Sequence, residues 1–255
     1  MTTALVTGGT SGIGAAFARA LAARGDDLVL VARDAGRLAE MATRLTEAHG
    51  IDVEVMSADL GLREDVQRVA ARLQSTEQPI DLLVNNAGFG LPYALTQADT
   101  TPHEHAIDVM IRAVLMLGAS AGRTMRARGH GTIVNVASTA GYVTMGGYSA
   151  IKAWVTVYSE GLANELDGSG VQVTALCPGW VRTEFHERAE IRTSKIPDQL
   201  WLDADRVVAD CLADVEHHQV ISIPSKRYKA LILAARLAPR SAVRAVSRKL
   251  SSGRH

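Results

Sequence analysis

Cysteine is scarce. Two residues, Cys177 and Cys211, cannot build a disulfide framework, and neither stands in a C-x-x-C spacing. Each reads as a small buried apolar residue rather than a ligand. Metal-binding histidine pairs are missing as well. His186-Glu187 is not followed by a second histidine at ligand spacing. His103, His105, His217 and His218 read as surface residues, so no metal is expected. Charge of one sign is lacking: 27 Lys and Arg stand against 27 Asp and Glu, a formal net charge of zero. Such a balance gives no global pull toward nucleic acid. No stretch reaches the ~18 uninterrupted apolar residues of a spanning helix. The opening MTTALVTGG has no basic n-region and no long apolar h-region. A cytoplasmic protein is expected. No low-complexity linker or internal repeat divides the chain, so one domain is expected.

What the chain does have is apolar material, 47% of its residues, enough to bury a large core. The neutral total hides an asymmetry. Lys226 to His255 holds nine Lys or Arg and no Asp or Glu, which leaves a formal −9 on residues 1–225. Short β-rich runs at Thr3–Thr7, Asp27–Ala32, Asp52–Ser57, Leu82–Asn85, Thr132–Ala137, Gln172–Leu176 and Val220–Ile223 predict strands. Three- and four-residue apolar spacing predicts helices over Ile13–Arg24, Leu38–His49, Asp65–Gln74, Ala106–Met125, Gly147–Asp167 and Asp205–His217. Hydrophobic strands alternating with helices imply an α/β fold: a doubly wound parallel sheet of about seven strands, covered on both faces.

The first strand runs straight into Thr7-Gly8-Gly9-Thr10-Ser11-Gly12-Ile13-Gly14 and then a helix. Glycines let the backbone turn tightly and approach a pyrophosphate with no Cβ in the way. The helix start adds unpaired N–H groups and the positive end of its dipole. Gly8, Thr10, Ser11, Gly12, Ile13 and Gly14 are therefore candidate cofactor-binding residues. At the end of the second strand, where an NAD-binding fold carries an acidic residue, stand Ala32 and then Arg33. An arginine fork suits a 2′-phosphate, through charge-assisted bonds worth roughly 1.5–3 kcal/mol each. Arg37 stands one turn further on, and Asp59-Leu60 follow the third strand near the expected adenine. This pattern favours NADP(H) over NAD. The bland alternatives are that Arg33 is solvated, that Asp34 caps the next helix, and that Asp59 is a helix N-cap.

Ser138 follows the fifth strand, and ten residues later comes Tyr148-Ser149-Ala150-Ile151-Lys152. Tyrosine and lysine four apart share a helix face. A tyrosine with an ordinary pKa of about 10 is a poor base at neutral pH. A nearby ammonium would lower that value and suit proton exchange with an alcohol or carbonyl.

Together these pieces, with Asn85-Asn86-Ala87-Gly88 and Cys177-Pro178-Gly179, resemble the short-chain dehydrogenase/reductase family along the chain to about Ile223. The resemblance implies a Rossmann-type domain over residues 1–225 and a carbonyl or alcohol substrate. It makes Tyr148 the general acid/base and Lys152 the residue that binds the nicotinamide ribose and tunes the tyrosine. Ser138 would hold the substrate oxygen. Asn86, Ala87 and Gly88 would pack under the cofactor, and the segment Pro178, Gly179, Val181 and Thr183 would reach the carboxamide. It also implies a homodimer or homotetramer through the two long helices, with Trp154 and Tyr158 as interface candidates.

Two departures stand out. The Ser138–Tyr148 loop is about three residues shorter than the family's, which leaves Thr139 as a stand-in for Ser138. Met110, in Val109-Met110-Ile111, occupies the place of the family's relay asparagine, and a thioether is a weak acceptor that cannot donate. The bland reading of Met110 is core filler. Residues 180–203, with Phe185, Ile191, Ile196, Leu200 and Trp201, are expected to form a lid over an apolar, lipid-like substrate. Trp201 alternatively anchors that lid to the core. Tyr142, Val143 and Met145 are expected to face the site. The basic, amphipathic tail at 226–255 is a candidate for peripheral membrane contact, or for covering the cleft or a neighbouring subunit. A non-catalytic NADPH sensor and a peripheral lipid-binding protein are the competing functional readings.

Overall fold

The computed structural model describes residues 2–184 and 197–251. Seven strands form one parallel sheet: β1 (Thr3–Thr7), β2 (Asp27–Ala32), β3 (Val53–Ser57), β4 (Leu82–Asn85), β5 (Gly131–Val136), β6 (Val171–Leu176) and β9 (Ile221–Ser222). Their order is β3-β2-β1-β4-β5-β6-β9, and every pairing is parallel. The alternating direction of strand side chains builds two cores. Leu5, Val29, Val31 and Leu83 point to one face; Ala4, Val6, Leu30 and Val84 point to the other. The strand order reverses between β1 and β4, the place where open α/β sheets leave a crevice at their carboxyl ends.

Around the sheet lie α1 (Gly12–Ala23), α2 (Ala35–His49), α3 (Arg63–Leu73), α4 (Thr101–Ile107), α5 (Ala113–Arg128), α6 (Gly147–Glu165) and α7 (Ala204–Glu216). Local chemistry sets their ends. Asp34 accepts from the Arg37 N–H at 3.0 Å and starts α2, as the capping alternative required. Gly50, at φ 67°, closes it. Asp203 caps α7 in the same way.

One predicted helix is interrupted. Residues 101–128 run α4, then a π turn at Asp108–Arg112, then α5. Arg112 donates to the Gly61 carbonyl at 2.6 Å and pairs with Asp108 at 2.6 Å, so contacts outside the helix help hold the turn. The bulge buries the adjacent residues Val109 and Met110 together. By length and composition, 101–128 could cross a membrane; here it packs against α3 and the sheet.

Two short elements escaped the periodicity argument. β7 (Trp180–Val181) pairs in parallel with β8 (Trp201–Leu202) and joins the two ends of the expected lid. The Trp201 ring packs on Trp180 at 5.9 Å, which supports its anchoring alternative. Phe185, His186, Glu187, Ile191 and Ile196 lie outside the described residues.

The basic tail is two helices, α8 (Lys226–Leu237) and α9 (Arg240–Ser251). It is packed on the domain. Tyr228, Ile232, Val243 and Ser247 are buried, and Ser247 Oγ accepts from the Thr144 N–H at 3.0 Å.

Candidate active site

A continuous cleft of about 1340 Å³ runs over the carboxyl ends of the strands. A typical ligand pocket spans ~300–1,000 Å³, so this one has room for two molecules end to end. Gly8, Thr10, Ser11, Gly12, Ile13, Arg33, Arg37, Asp59, Leu60, Asn86, Ala87, Gly88, Ser138, Tyr148, Lys152, Pro178, Gly179, Val181 and Thr183 all line it. Gly14 lies beneath the loop instead. A Cβ there would sit 2.2 Å from the Gly8 carbonyl oxygen, so only glycine lets α1 start against the turn.

The loop is shaped for close approach. Gly8 and Gly12 have φ of +67° and +54°, and a Cβ on Gly8 would meet Asn86 Nδ2 at 2.8 Å. Asn86 Nδ2 donates to the Thr7 carbonyl at 2.9 Å and to the Gly8 carbonyl at 3.3 Å. Thr7 Oγ1 accepts from the Asn86 and Ala87 N–H groups at 2.9 and 3.0 Å. Thus Asn86 braces the cradle from below. Thr183 packs against Gly12.

Past the end of β2, Arg33 is exposed on the cleft rim. Arg37 is engaged: it donates to Glu184 at 3.0 and 3.2 Å and to the Thr10 carbonyl at 3.4 Å. The Glu184 carboxylate raises the Arg37 pKa above its ordinary value. Asp59 does not cap α3, whose N-cap is Leu62; its Oδ1 accepts from the Gly61 N–H at 2.9 Å.

Beyond the end of β5, the Ser138 and Tyr148 side chains share a hydrogen bond. Lys152 Nζ lies 5.7 Å from the Tyr148 ring centroid and donates to the Val136 carbonyl at 2.8 Å. The end of β5 thus positions both the serine and the lysine. Thr139 lines the cleft as well, and donates through N and Oγ1 to the Pro178 carbonyl at 2.9 and 3.2 Å. Burial pushes Tyr148 above its ordinary pKa, outweighing the lowering by the Ser138 hydrogen bond. The expected lowering by the ammonium is therefore not the dominant effect; desolvation is. Burial also brings Lys152 down to about 8.

Met110 is buried, and its Sδ would lie 3.0 Å from a Cβ on Gly88. It fills space directly under the Gly88 turn. Val143 and Met145 line the cleft, as expected. Tyr142 does not: its hydroxyl lies 4.0 Å from Cys177 Sγ and accepts from Arg236 at 3.2 Å. His217 and His218 are exposed, whereas His105 is half-buried. It lines the cleft and stacks on Phe89 at 5.2 Å. His103 is half-buried as well, with its Nε2 atom buried.

The far wall comes from the tail. Tyr228, Leu231, Ile232, Ala235, Val243 and Val246 line the cleft beyond Tyr148. Tyr228 accepts from the Trp180 N–H at 3.1 Å and donates to the Leu200 carbonyl at 2.7 Å. A boundary at 225 therefore cuts through the cleft wall. The amphipathic spacing of 226–251 was visible in the sequence; its partner surface was not.

A glycine-cradled crevice at the switch point of a doubly wound sheet, with serine, tyrosine and lysine converging at its inner end, defines a dinucleotide-binding oxidoreductase site. Residues 2–193 match the short chain dehydrogenase family, and the chain belongs to it. A short-chain dehydrogenase from Sphingobium yanoikuyae, solved with NADPH, is 35% identical, with a TM-score of 0.85 over 92% of this chain and 94% of that one. The bulky-bulky ketone specific alcohol dehydrogenase from Comamonas testosteroni is 32% identical, with a TM-score of 0.80 over 92% of each chain. The very-long-chain 3-oxoacyl-CoA reductase of Anas platyrhynchos is 38% identical over 190 residues, which cover 71% of this chain and 60% of that one.

Proposed function

We propose that this oxidoreductase uses NADP(H) to interconvert a bulky apolar ketone or aldehyde, including oxo-acyl chains, and its alcohol. The observation that carries the reading is the convergence of Ser138, Tyr148 and Lys152 inside the same cleft as the glycine cradle. The residues fit the dinucleotide, because the cradle at Gly8 and Gly14 leaves no space for a Cβ. Gly8 through Ile13 would hold the pyrophosphate, with Arg33 at the 2′-phosphate and Asp59 and Leu60 at the adenine. Ala87 and Gly88 would lie beneath. The Pro178–Thr183 segment and Lys152 would hold the nicotinamide half. When bound, the nicotinamide supplies or accepts the hydride.

This chain's residues handle the oxygen and its proton. Ser138 and Tyr148 hydrogen-bond the substrate oxygen together. Buried Tyr148 keeps its proton at neutral pH and donates it to the oxygen as a carbonyl is reduced. Lys152, fixed by the Val136 carbonyl, stabilises the phenolate that remains. Leu91, Val143, Met145 and the tail residues exclude water and favour an apolar substrate. The assembly is a homodimer or homotetramer through α5 and α6, where Leu115 and Val157 are exposed beside the Trp154–Tyr158 stack. The intact proton-transfer group argues against a cofactor sensor without chemistry.

The test is NADPH consumption with ketones and aldehydes of rising bulk, with Tyr148→Phe as control. Acid–base catalysis is worth about 10²–10⁴-fold, so the variant should lose at least a hundredfold in kcat while binding NADPH normally. Equal turnover by the variant, or none by the wild type on any carbonyl, overturns the reading.

A further inference from the structure

The tail helices have two faces, and the cleft uses one of them. On α8, Tyr228, Ile232 and Ala235 turn inward. At about 100° per residue, Leu233 and Leu237 fall on the opposite side. They are 58% and 78% exposed. From there an apolar band passes over Ala234 to Leu231, which is 52% exposed and already lines the cleft. Across the opening, Val246 of α9 is 57% exposed and lines it too. The rim of the cleft therefore merges with an outward-facing apolar surface.

Cations surround that surface. Lys226, Arg227 and Lys229 stand exposed at the start of α8, and Arg240, Arg244 and Arg248 form an exposed stripe at four-residue spacing on α9. No Asp or Glu occurs from 226 to 255.

We propose that this outer face of α8 and α9 docks on an anionic lipid surface, with Leu233 and Leu237 entering the interface. The cleft mouth then opens toward the bilayer, so an apolar substrate can pass in without crossing water. Charge complementarity selects the occupant. A second copy meeting this face across a twofold axis would set one basic patch against its twin. A small soluble anion would use the cations but leave the leucines in water. An acidic bilayer satisfies both.

The docking and the reductase reading are separable, because vesicle binding is measured without turnover. Full-length protein is sedimented with phosphatidylglycerol/phosphatidylcholine vesicles and with pure phosphatidylcholine vesicles. Binding is expected to the anionic set alone and to fall as salt is raised. Leu233→Asp/Leu237→Asp and Arg244→Glu/Arg248→Glu should each weaken it at least tenfold. Neither pair lines the cleft, so reduction of a small soluble ketone should stay unchanged and circular dichroism should report an intact fold. The proposal is overturned if the wild type leaves anionic vesicles in the supernatant, or if both double variants bind as the wild type does. It is equally overturned if the leucine variant only dissociates an oligomer, or if the wild type binds a DNA duplex and no vesicle.

Discussion

Tyr228 lies flat against Gly179, so close that a Cβ at 179 would sit 1.9 Å from the ring's Cζ. The glycine of the Pro178–Gly179 turn is therefore the seat of the tail as well as a wall of the cleft. Gly179→Ala should push the ring away and break its bonds to the Trp180 N–H and the Leu200 carbonyl. Overpacking of this kind costs about 1–3 kcal/mol. Calorimetry should show a lower Tm, and KM for bulky ketones should rise more than KM for small ones. An unchanged Tm with unchanged KM values would mean that the ring is not held there.

Arg33 and Arg37 should behave differently although both border the end of the cleft proposed to hold the ribose. Arg33 is exposed on the rim, whereas Arg37 is already bonded to Glu184 and to the Thr10 carbonyl. With charge-assisted bonds at roughly 1.5–3 kcal/mol, Arg33→Ala should weaken NADPH about ten- to a hundredfold and leave NADH untouched. Glu184→Gln should disturb the loop through Arg37 and weaken both cofactors alike. Titration calorimetry with the two cofactors decides it; equal losses in Arg33→Ala would remove the 2′-phosphate assignment.

All seven sheet strands begin and end within one residue of their apolar runs, and three, such as β1 at Thr3–Thr7, match at both ends. Buried parallel strands declare themselves by composition, and the glycine loop by its place between a strand and a helix. What stayed hidden depends on distant partners. The π turn at Asp108–Arg112 is held in part by the Gly61 carbonyl. The Arg37–Glu184 pair joins residues 147 apart in the chain. β7 and β8 have two residues each, too few to show any period. His105 read as solvated because nothing local announces its stacking on Phe89.

Burial holds the Lys152 ammonium near pKa 8, below its ordinary 10.5. Below pH 8 both folded and unfolded chains carry the proton, and the folded chain bears the full desolvation cost. Between about 8 and 10.5 the unfolded chain still holds a proton that the folded chain has released, so stability should rise with pH. Lys152→Met removes the buried charge. At pH 7 that variant should be more stable than wild type, by an amount on the order of 3 kcal/mol, and the gap should shrink toward pH 10. Urea unfolding of both proteins, without cofactor, across this range gives the gap directly. A gap that does not change with pH would show that burial does not control this lysine.

Met110 separates a packing role from a chemical one. It is buried under the Gly88 turn, and its sulfur is a weak acceptor at most. Lys152 already donates to the Val136 carbonyl, and Tyr148 already bonds Ser138, so neither depends on a side chain at 110. Met110→Leu keeps the volume and should cost less than ~1.5 kcal/mol, with kcat within about threefold of wild type, since the proposed acid–base residues are untouched. Met110→Asn shrinks the side chain and buries an amide among apolar neighbours, so it should cost about 2–4 kcal/mol. Unfolding curves and steady-state kinetics on both variants test this pair of expectations. A hundredfold loss of kcat in Met110→Leu at unchanged stability would place the thioether in the proton path, because packing would then be intact and only the sulfur missing.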